Sequence, residues 1–258
     1  MNNKTFRVLS IDFDYFQNAS AKALMEYPDG IDLQPSLSQQ VWKGKYDFKP
    51  SADLIKTVTC KTNEMYFIEN IFMYSCKQDI PVLACFSHEY IYGFIQEQFS
   101  TSGAEKLEIV NVDFHADYYN DNVKNDTQDC GNWCYFIKQE IPGTKITWIA
   151  PENYEELYEE KDYSGIDKIT TDLSVLKQHD YDAVFLCRSD NWLPPHLDNH
   201  FQQFLHFFCG NFNQGKIQQV ITEPRDYSKE PTFGIEGERD LEKDSELEAA
   251  LETLKSFN

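Results

Sequence analysis

Two apolar runs that each end in closely spaced metal-binding side chains constrain this chain more than anything else in it. Val8-Leu-Ser-Ile-Asp-Phe-Asp-Tyr-Phe16 closes on Asp12 and Asp14, and Ile109-Val-Asn-Val-Asp-Phe-His-Ala-Asp117 closes on Asp113, His115 and Asp117. Residues i, i+2 and i+4 of a β-strand leave the same face, so a strand reading aims the donors of each run one way. A single run of this kind is a weak signal, because Asp is common where strands turn. Two of them point to a site for a pair of metal ions. Four gathered carboxylates would otherwise have to take up protons, whereas two divalent cations neutralise them.

The rest of the chain alternates between strand-like and helix-like stretches. Strands are expected at Phe6–Ile11, Ile80–Phe86, Leu107–Val112, Lys145–Ala150, Asp182–Cys187 and Gln218–Thr222. Helices are expected at Asn63–Lys77, Glu89–Phe99, Trp133–Gln139, His200–Phe208 and Ser245–Ser256. This order implies a three-layer α/β/α fold with a mostly parallel, doubly wound sheet, formed as a single domain over residues 1–258. Ligands of open parallel sheets bind beyond the carboxyl ends of the strands, which is where both donor clusters fall. Residues Pro28–Pro50, with Gly, Pro, Ser and Gln, read as a long loop acting as a lid or substrate-facing insertion.

Composition excludes several classes. Apolar residues make up 41% of the 258 and aromatics 15%, too many for a disordered chain. No apolar run approaches the ~20 residues that cross a bilayer. Asp12 and Asp14 interrupt the only early apolar stretch, which argues against a signal peptide. Seven scattered cysteines, an odd number, favour reduced thiols and a cytoplasmic location. Cys130 and Cys134 lack the second pair that a structural zinc site needs. A formal net charge of −20 disfavours nucleic acid and suits a cationic partner. Part of that charge sits in Glu152–Asp162 and Glu236–Glu252, read as solvated helix faces.

The donor set is completed by His88, just beyond the strand that ends at Phe86. Asp12, Asp14, His88, Asp113, His115 and Asp117 are therefore the expected metal ligands. Oxygen donors with a little imidazole suit manganese better than a thiolate-selected zinc, with zinc and iron still compatible. Two ions ~3.5–4 Å apart can share a hydroxide nucleophile and polarise an electrophile. His179, His196, His200 and His206 have no comparable company, and the last two are assigned to a helix.

At these residues the chain resembles the arginase and ureohydrolase superfamily of binuclear manganese enzymes. Asp113-Phe-His-Ala-Asp117 is similar to its Asp-x-His-x-Asp motif, Pro81-Val-Leu-Ala-Cys-Phe-Ser-His-Glu89 to the preceding strand with a terminal His ligand, and Ser10-Ile-Asp-Phe-Asp-Tyr-Phe16 to its Asp-x-Asp strand. That last strand comes late in ordinary arginases and first here, an order resembling the divergent branch that includes peptide arginases. Gly131-Asn-Trp133 and the segment from Asp182 to Pro195 fit the same branch, and the resemblance spans roughly residues 6–200.

The resemblance implies that Asp12 and Asp113 bridge two ions, with His88 and Asp117 completing one and His115 and Asp14 the other. It implies attack of a metal-bridging hydroxide on a guanidino carbon, releasing urea and an amine, as in conversion of arginine to ornithine. The substrate would be a guanidino small molecule or an arginine-containing peptide. Polar segments that read free arginine's α-amino and α-carboxylate groups have no match. Asp113, His115 and Glu223 are the expected catalytic residues. Glu223, after a late apolar strand, is also the expected grip on the guanidinium, with an ordinary strand-end carboxylate as the competing account. Asn132, Trp133 and Trp192 are candidates for the substrate entrance, with aromatic packing as the alternative. No membrane or nucleic acid is implied, and an oligomer is left open.

Three other readings compete. Asp12-x-Asp14 alone resembles the haloacid-dehalogenase phosphatases, but Tyr15 stands at the usual Thr or Val place and Asp113-x-His115-x-Asp117 goes unexplained. A single-zinc deacylase of the histone-deacetylase type would leave Asp14 and Asp117 superfluous. A non-catalytic acidic protein binding a basic partner is the third.

Overall fold

The computed structural model describes residues 4–28, 35–75, 79–119, 127–178, 180–220 and 224–225. Its strands are β1 (Thr5–Asp12), β2 (Gln17–Asn18), β3 (Thr59–Cys60), β4 (Val82–Cys85), β5 (Lys106–Val112), β6 (Lys145–Ile149), β7 (Lys168–Thr170), β8 (Ala183–Cys187) and β9 (Ile217–Val220). Its α-helices are α1 (Ala21–Leu24), α2 (Pro35–Asp47), α3 (Lys49–Ile55), α4 (Thr62–Ser75), α5 (Tyr90–Ser102), α6 (Trp133–Glu140), α7 (Tyr154–Leu157) and α8 (Asp198–Asn211).

Seven strands form one sheet in the order β7-β6-β5-β1-β8-β4-β9, and every neighbouring pair is parallel. All carboxyl ends therefore lie along one edge. β2 and β3 form a small antiparallel ribbon. The first strand sits in the middle, its neighbours β5 and β8 arriving a hundred residues and more later, where its apolar residues on both faces are covered.

The two faces of that strand explain the layers. Leu9 and Ile11, with Val110, Val112, Val184 and Leu186, pack against Trp42, Ile55, Met65, Phe72, Phe204 and Phe208, from α2, α3, α4 and α8. Phe6 and Val8, with Ile109, Phe185 and Cys187, pack against Ile91, Phe94 and Ile95 of α5 and Trp133 and Ile137 of α6. Burying each such side chain contributes ~1.5–3 kcal/mol. The three-layer α/β/α architecture is thus present.

The expected loop at residues 28–50 is a correction. Residues 35–47 form α2 and 49–55 form α3. Prolines marked this stretch as irregular, yet Pro35 opens α2 and Pro50 lies in the first turn of α3, where a missing N–H costs nothing. Val41, Trp42 and Tyr46 are spaced as a helix face, and Trp42 is fully buried. Its Nε1 donates to the Asp190 carbonyl at 2.7 Å, and Ser38 Oγ donates to the same oxygen at 3.0 Å. α2 is therefore a brace under the loop that follows β8. Strand β7 was not anticipated, being three residues long with a half-exposed edge. The expected Ser245–Ser256 helix, the end of the last strand at Thr222, and His179 lie outside the described residues. No described helix is long and apolar enough to cross a membrane.

Replacing Trp42 by Ala removes a fully buried indole and one donor to Asp190, and should cost about 3–5 kcal/mol in urea unfolding. At the other end of the sheet Asp167 accepts from Lys138 Nζ at 2.7 Å, Lys145 Nζ at 2.8 Å and the Ile146 N–H at 3.0 Å. Slight burial raises its pKa, but the lysines and the N–H outweigh it and hold the carboxyl at about 2. A carboxyl depressed on folding adds stability above its unfolded pKa of ~3.9. That increment should vanish as pH falls from about 4 to about 2. Asp167→Asn should flatten the stability profile in that window alone.

Candidate metal centre

β1 ends at Asp12 and β5 at Val112, so the donors do not lie along extended strands as the period-two reading assumed. Both chains break at their first aspartate. Asp12 Oδ1 accepts the Asp14 N–H at 3.2 Å, starting the 3-10 turn Phe13–Phe16, and Asp113 Oδ1 accepts the His115 N–H at 2.7 Å. The same local turn, an Asp side chain capping the N–H two residues on, thus occurs at two adjacent strand ends. The Phe114 N–H donates to Asp14 Oδ1 at 3.3 Å and ties the two turns together. Asp117 sits in left-handed backbone, φ 51°.

All six expected donors converge. Asp12, His88 and Asp113 offer ligand atoms within 4.8 Å of one another, as do Asp14, Asp113 and His115. Asp113 is common to both groups. Asp117 joins the first, its Oδ2 lying 2.9 Å from His88 Nδ1. Asp113 Oδ2 and Asp12 Oδ2 lie 3.1 and 3.2 Å from that same nitrogen. On the other side His115 Nδ1 is 3.1 Å from Asp14 Oδ2.

These residues fit divalent cations. One ring nitrogen carries at most one proton and cannot serve three carboxylates, whereas donors ~3 Å apart match one edge of an octahedral shell with ligands at ~2.1 Å. Asp14 Oδ2 is buried and accepts no hydrogen bond among the described residues. Ser10 Oγ lies 2.8 Å from His88 Nε2. With the hydroxyl accepting, the ring proton resides on Nε2 and Nδ1 is free to bind an ion. The ring is stacked on Phe185, 5.4 Å between centroids. Asn111 Nδ2 donates to Asp113 Oδ2 at 3.0 Å, and Trp133 Nε1 to Asp117 Oδ2 at 2.6 Å. Ser10 and Asn111 each precede a donor by two residues on the same strand face. Supporting partners of this kind fix the orientation of metal ligands.

Without cations the cluster manages its charge through protons. Burial, reinforced by Asp14 and Asp113, pushes Asp12 up to about 7. Burial and then Asp113 push Asp117 up to about 7. Burial brings Asp14 to about 6 against the attraction of His115. For Asp113 burial is outweighed by the two imidazoles, which hold it below the usual carboxylate range. Burial lowers both imidazoles, yet Asp117 beside His88 and Asp14 beside His115 lift them well above the ordinary value. These opposed shifts are expected of groups gathered around a missing positive charge.

The centre opens into a cleft of about 440 Å³. Tyr119, Tyr158 and Trp192 supply aromatic wall, and Asp129 and Ser189 supply polar groups. Trp192 lines the cleft and packs on His115, 4.9 Å between ring centroids. Asn132 and Trp133 do not line the cleft, which corrects their assignment to the entrance. Asn132 is fully buried and staples the turn before α6, accepting from the Asp129 N–H at 2.8 Å and donating to the Thr127 carbonyl at 3.1 Å. Trp133 is fully buried behind Asp117. Glu223 lies outside the described residues.

Asp129, Tyr158 and Ser189 were not anticipated. Tyr158 hides in the acidic stretch 152–162, whose Tyr154 and Tyr158 pack on Trp148 together with the adjacent Tyr163. Of the remaining histidines, His200 and His206 lie on α8 as expected, and His196 is held by Tyr46 Oη and the Val58 carbonyl. Cys130 and Cys134 are free thiols. Compared with known proteins, the chain matches no family model, no curated protein and no solved structure.

Manganese at a hundredfold over its Kd should raise unfolding stability by about 2.7 kcal/mol. Asp113→Asn should abolish the gain, because both donor groups use Asp113, while Ser10→Ala should weaken binding by roughly tenfold to a hundredfold. Thermal shift with direct metal analysis checks both.

Proposed function

We propose that this chain is a binuclear-metal hydrolase, most naturally a manganese enzyme, that cleaves a C–N bond of a guanidino substrate. One observation carries the reading: two donor groups share buried Asp113 and open together into a cleft whose non-ligand charge is the carboxylate of Asp129 among the described residues. The arginase resemblance of the three donor segments supports the substrate class. The side chain of an arginine within a peptide and a small guanidino compound both suit it.

Asp12, His88, Asp113 and Asp117 would hold one ion, and Asp14, His115 and Asp113 the other. When bound, a pair of divalent ions supplies Lewis acidity and a lowered pKa for water, the chemistry that hydrolysis of an unreactive guanidinium demands. The chain's own residues supply the rest. Asp129 favours entry of a cation. Tyr119, Tyr158 and Trp192 present ring surfaces to a flat guanidinium and narrow the cleft against water. Ser10, Asn111 and Trp133 hold His88, Asp113 and Asp117 in place. Overall, a water oxygen bonds to the guanidino carbon, the bond from that carbon to the side-chain nitrogen breaks, and the protons end on urea and the leaving amine. The free thiols among the described cysteines accord with a cytoplasmic location.

The test is urea release from arginine, agmatine and an arginine-containing peptide by manganese-loaded protein, with metal counted per chain. Two ions and urea from at least one substrate are expected. Asp113→Asn should lower the rate by on the order of a thousandfold or more. One ion per chain with release of acyl groups would instead establish a deacylase, and metal-loaded protein without turnover a binding role.

A further inference from the structure

Among the described residues other than glycine, only Asp117 and Ser189 have a positive φ, 51° and 59°, and both line the cleft. Left-handed backbone is unfavourable for a residue with a Cβ, and such positions gather where a side chain must be aimed. Asp117 has its place beside His88. Ser189 belongs to neither donor group.

Ser189 begins the loop after β8, between the strands that lead to Asp12 and His88. Its main chain is already engaged: the N–H donates to Cys187 Sγ at 3.2 Å, and the carbonyl accepts from Trp192 and Leu193 at 2.9 and 2.8 Å. Its hydroxyl makes no hydrogen bond among the described residues, although the residue is only 2% exposed. The loop is clamped from behind. The Asp190 carbonyl accepts from Ser38, Trp42 and Arg225, and Arg188 grips the Asp190 carboxylate through Nε at 2.6 Å and Nη2 at 3.0 Å. Arg225 also pairs with Asp198 through Nη2 at 2.6 Å. A buried network of this strength can hold one residue in an unfavourable conformation.

We propose that Ser189 is a substrate-binding residue, its hydroxyl accepting an N–H of the guanidino group held beside the metal centre. A guanidinium offers donors only, so an acceptor hydroxyl suits it, and Trp192, three residues on in the same clamped loop, supplies the adjoining ring. This assignment rests on the guanidino reading and adds a specific contact to it.

Ser189→Gly and Ser189→Ala separate the contact from a mere turn. Both lose the hydroxyl, but Gly relaxes at positive φ while Ala keeps the strain. Calorimetry of N-acetyl-argininamide binding to manganese-loaded protein, KM and kcat for urea release, metal content and thermal midpoint are measured on each. Expected are two ions throughout, a midpoint for Gly at or above that for Ala, and in both variants Kd and KM raised about tenfold or more with kcat changed far less. A Gly variant that binds the probe as tightly as the parent overturns the Ser189 contact and leaves the guanidino reading standing. Failure of the metal-loaded parent to bind the probe or release urea overturns both.

Discussion

Packing four buried carboxylates at the ends of neighbouring parallel strands is the constraint on which the rest of this structure depends. Asp12, Asp14, Asp113 and Asp117 are all at most 4% exposed, and burial alone would drive each toward its neutral form. Their charge must be met by protons or by cations. The fold answers with two imidazoles and with donors spaced so that several share one position. Ser10, Asn111 and Trp133 then have a common purpose: they hold the donors His88, Asp113 and Asp117 in place.

The sheet makes that concentration achievable. Because every strand of the seven-stranded sheet is parallel, the chain breaks at the ends of β5, β1, β8 and β4 all face one edge. The breaks after β1 and β5 are each made by an aspartate capping its own turn, so the residue that stops the strand also supplies a ligand. The same edge carries Ser189 and Trp192 on the loop after β8. A second, wholly buried set of charges holds that loop: Arg188 and Arg225 against Asp190 and Asp198. Here opposite charges are matched within the protein, which is why this group reads as support and the cluster in front of it as a binding site. The contrast lies in compensation, since both groups are equally buried.

Much of this was legible in the residues. The six donors could be read because an aspartate or histidine at regular spacing after an apolar run is rare enough to stand out, and β1, β4, β5, β6 and β8 because each is a short, mainly apolar run. Strand periodicity is nevertheless not what brings the donors together, since Asp14 and His115 lie on turns and not on strands. Helices α2 and α3 were obscured by prolines that mark helix starts as readily as loops. Trp133 and Asn132 looked like entrance residues because aromatic and amide side chains suit ligands, but the indole N–H binds Asp117 and the amide binds the turn before α6, partners that no local pattern discloses. Asp129 and Tyr158 could not be singled out, because a lone Asp and a Tyr among glutamates look alike wherever they fall.

The chain's order of residues therefore determined the elements, the parallel class of sheet and the chemical type of the donors, because hydrophobic periodicity and side-chain chemistry are local properties. Only the tertiary structure decided that β1 lies between β5 and β8, that Asp113 is common to two donor groups, and which side chains face the cleft. Those depend on contacts across a hundred residues or more, where the backbone positions, and not the neighbours in sequence, set which charges meet.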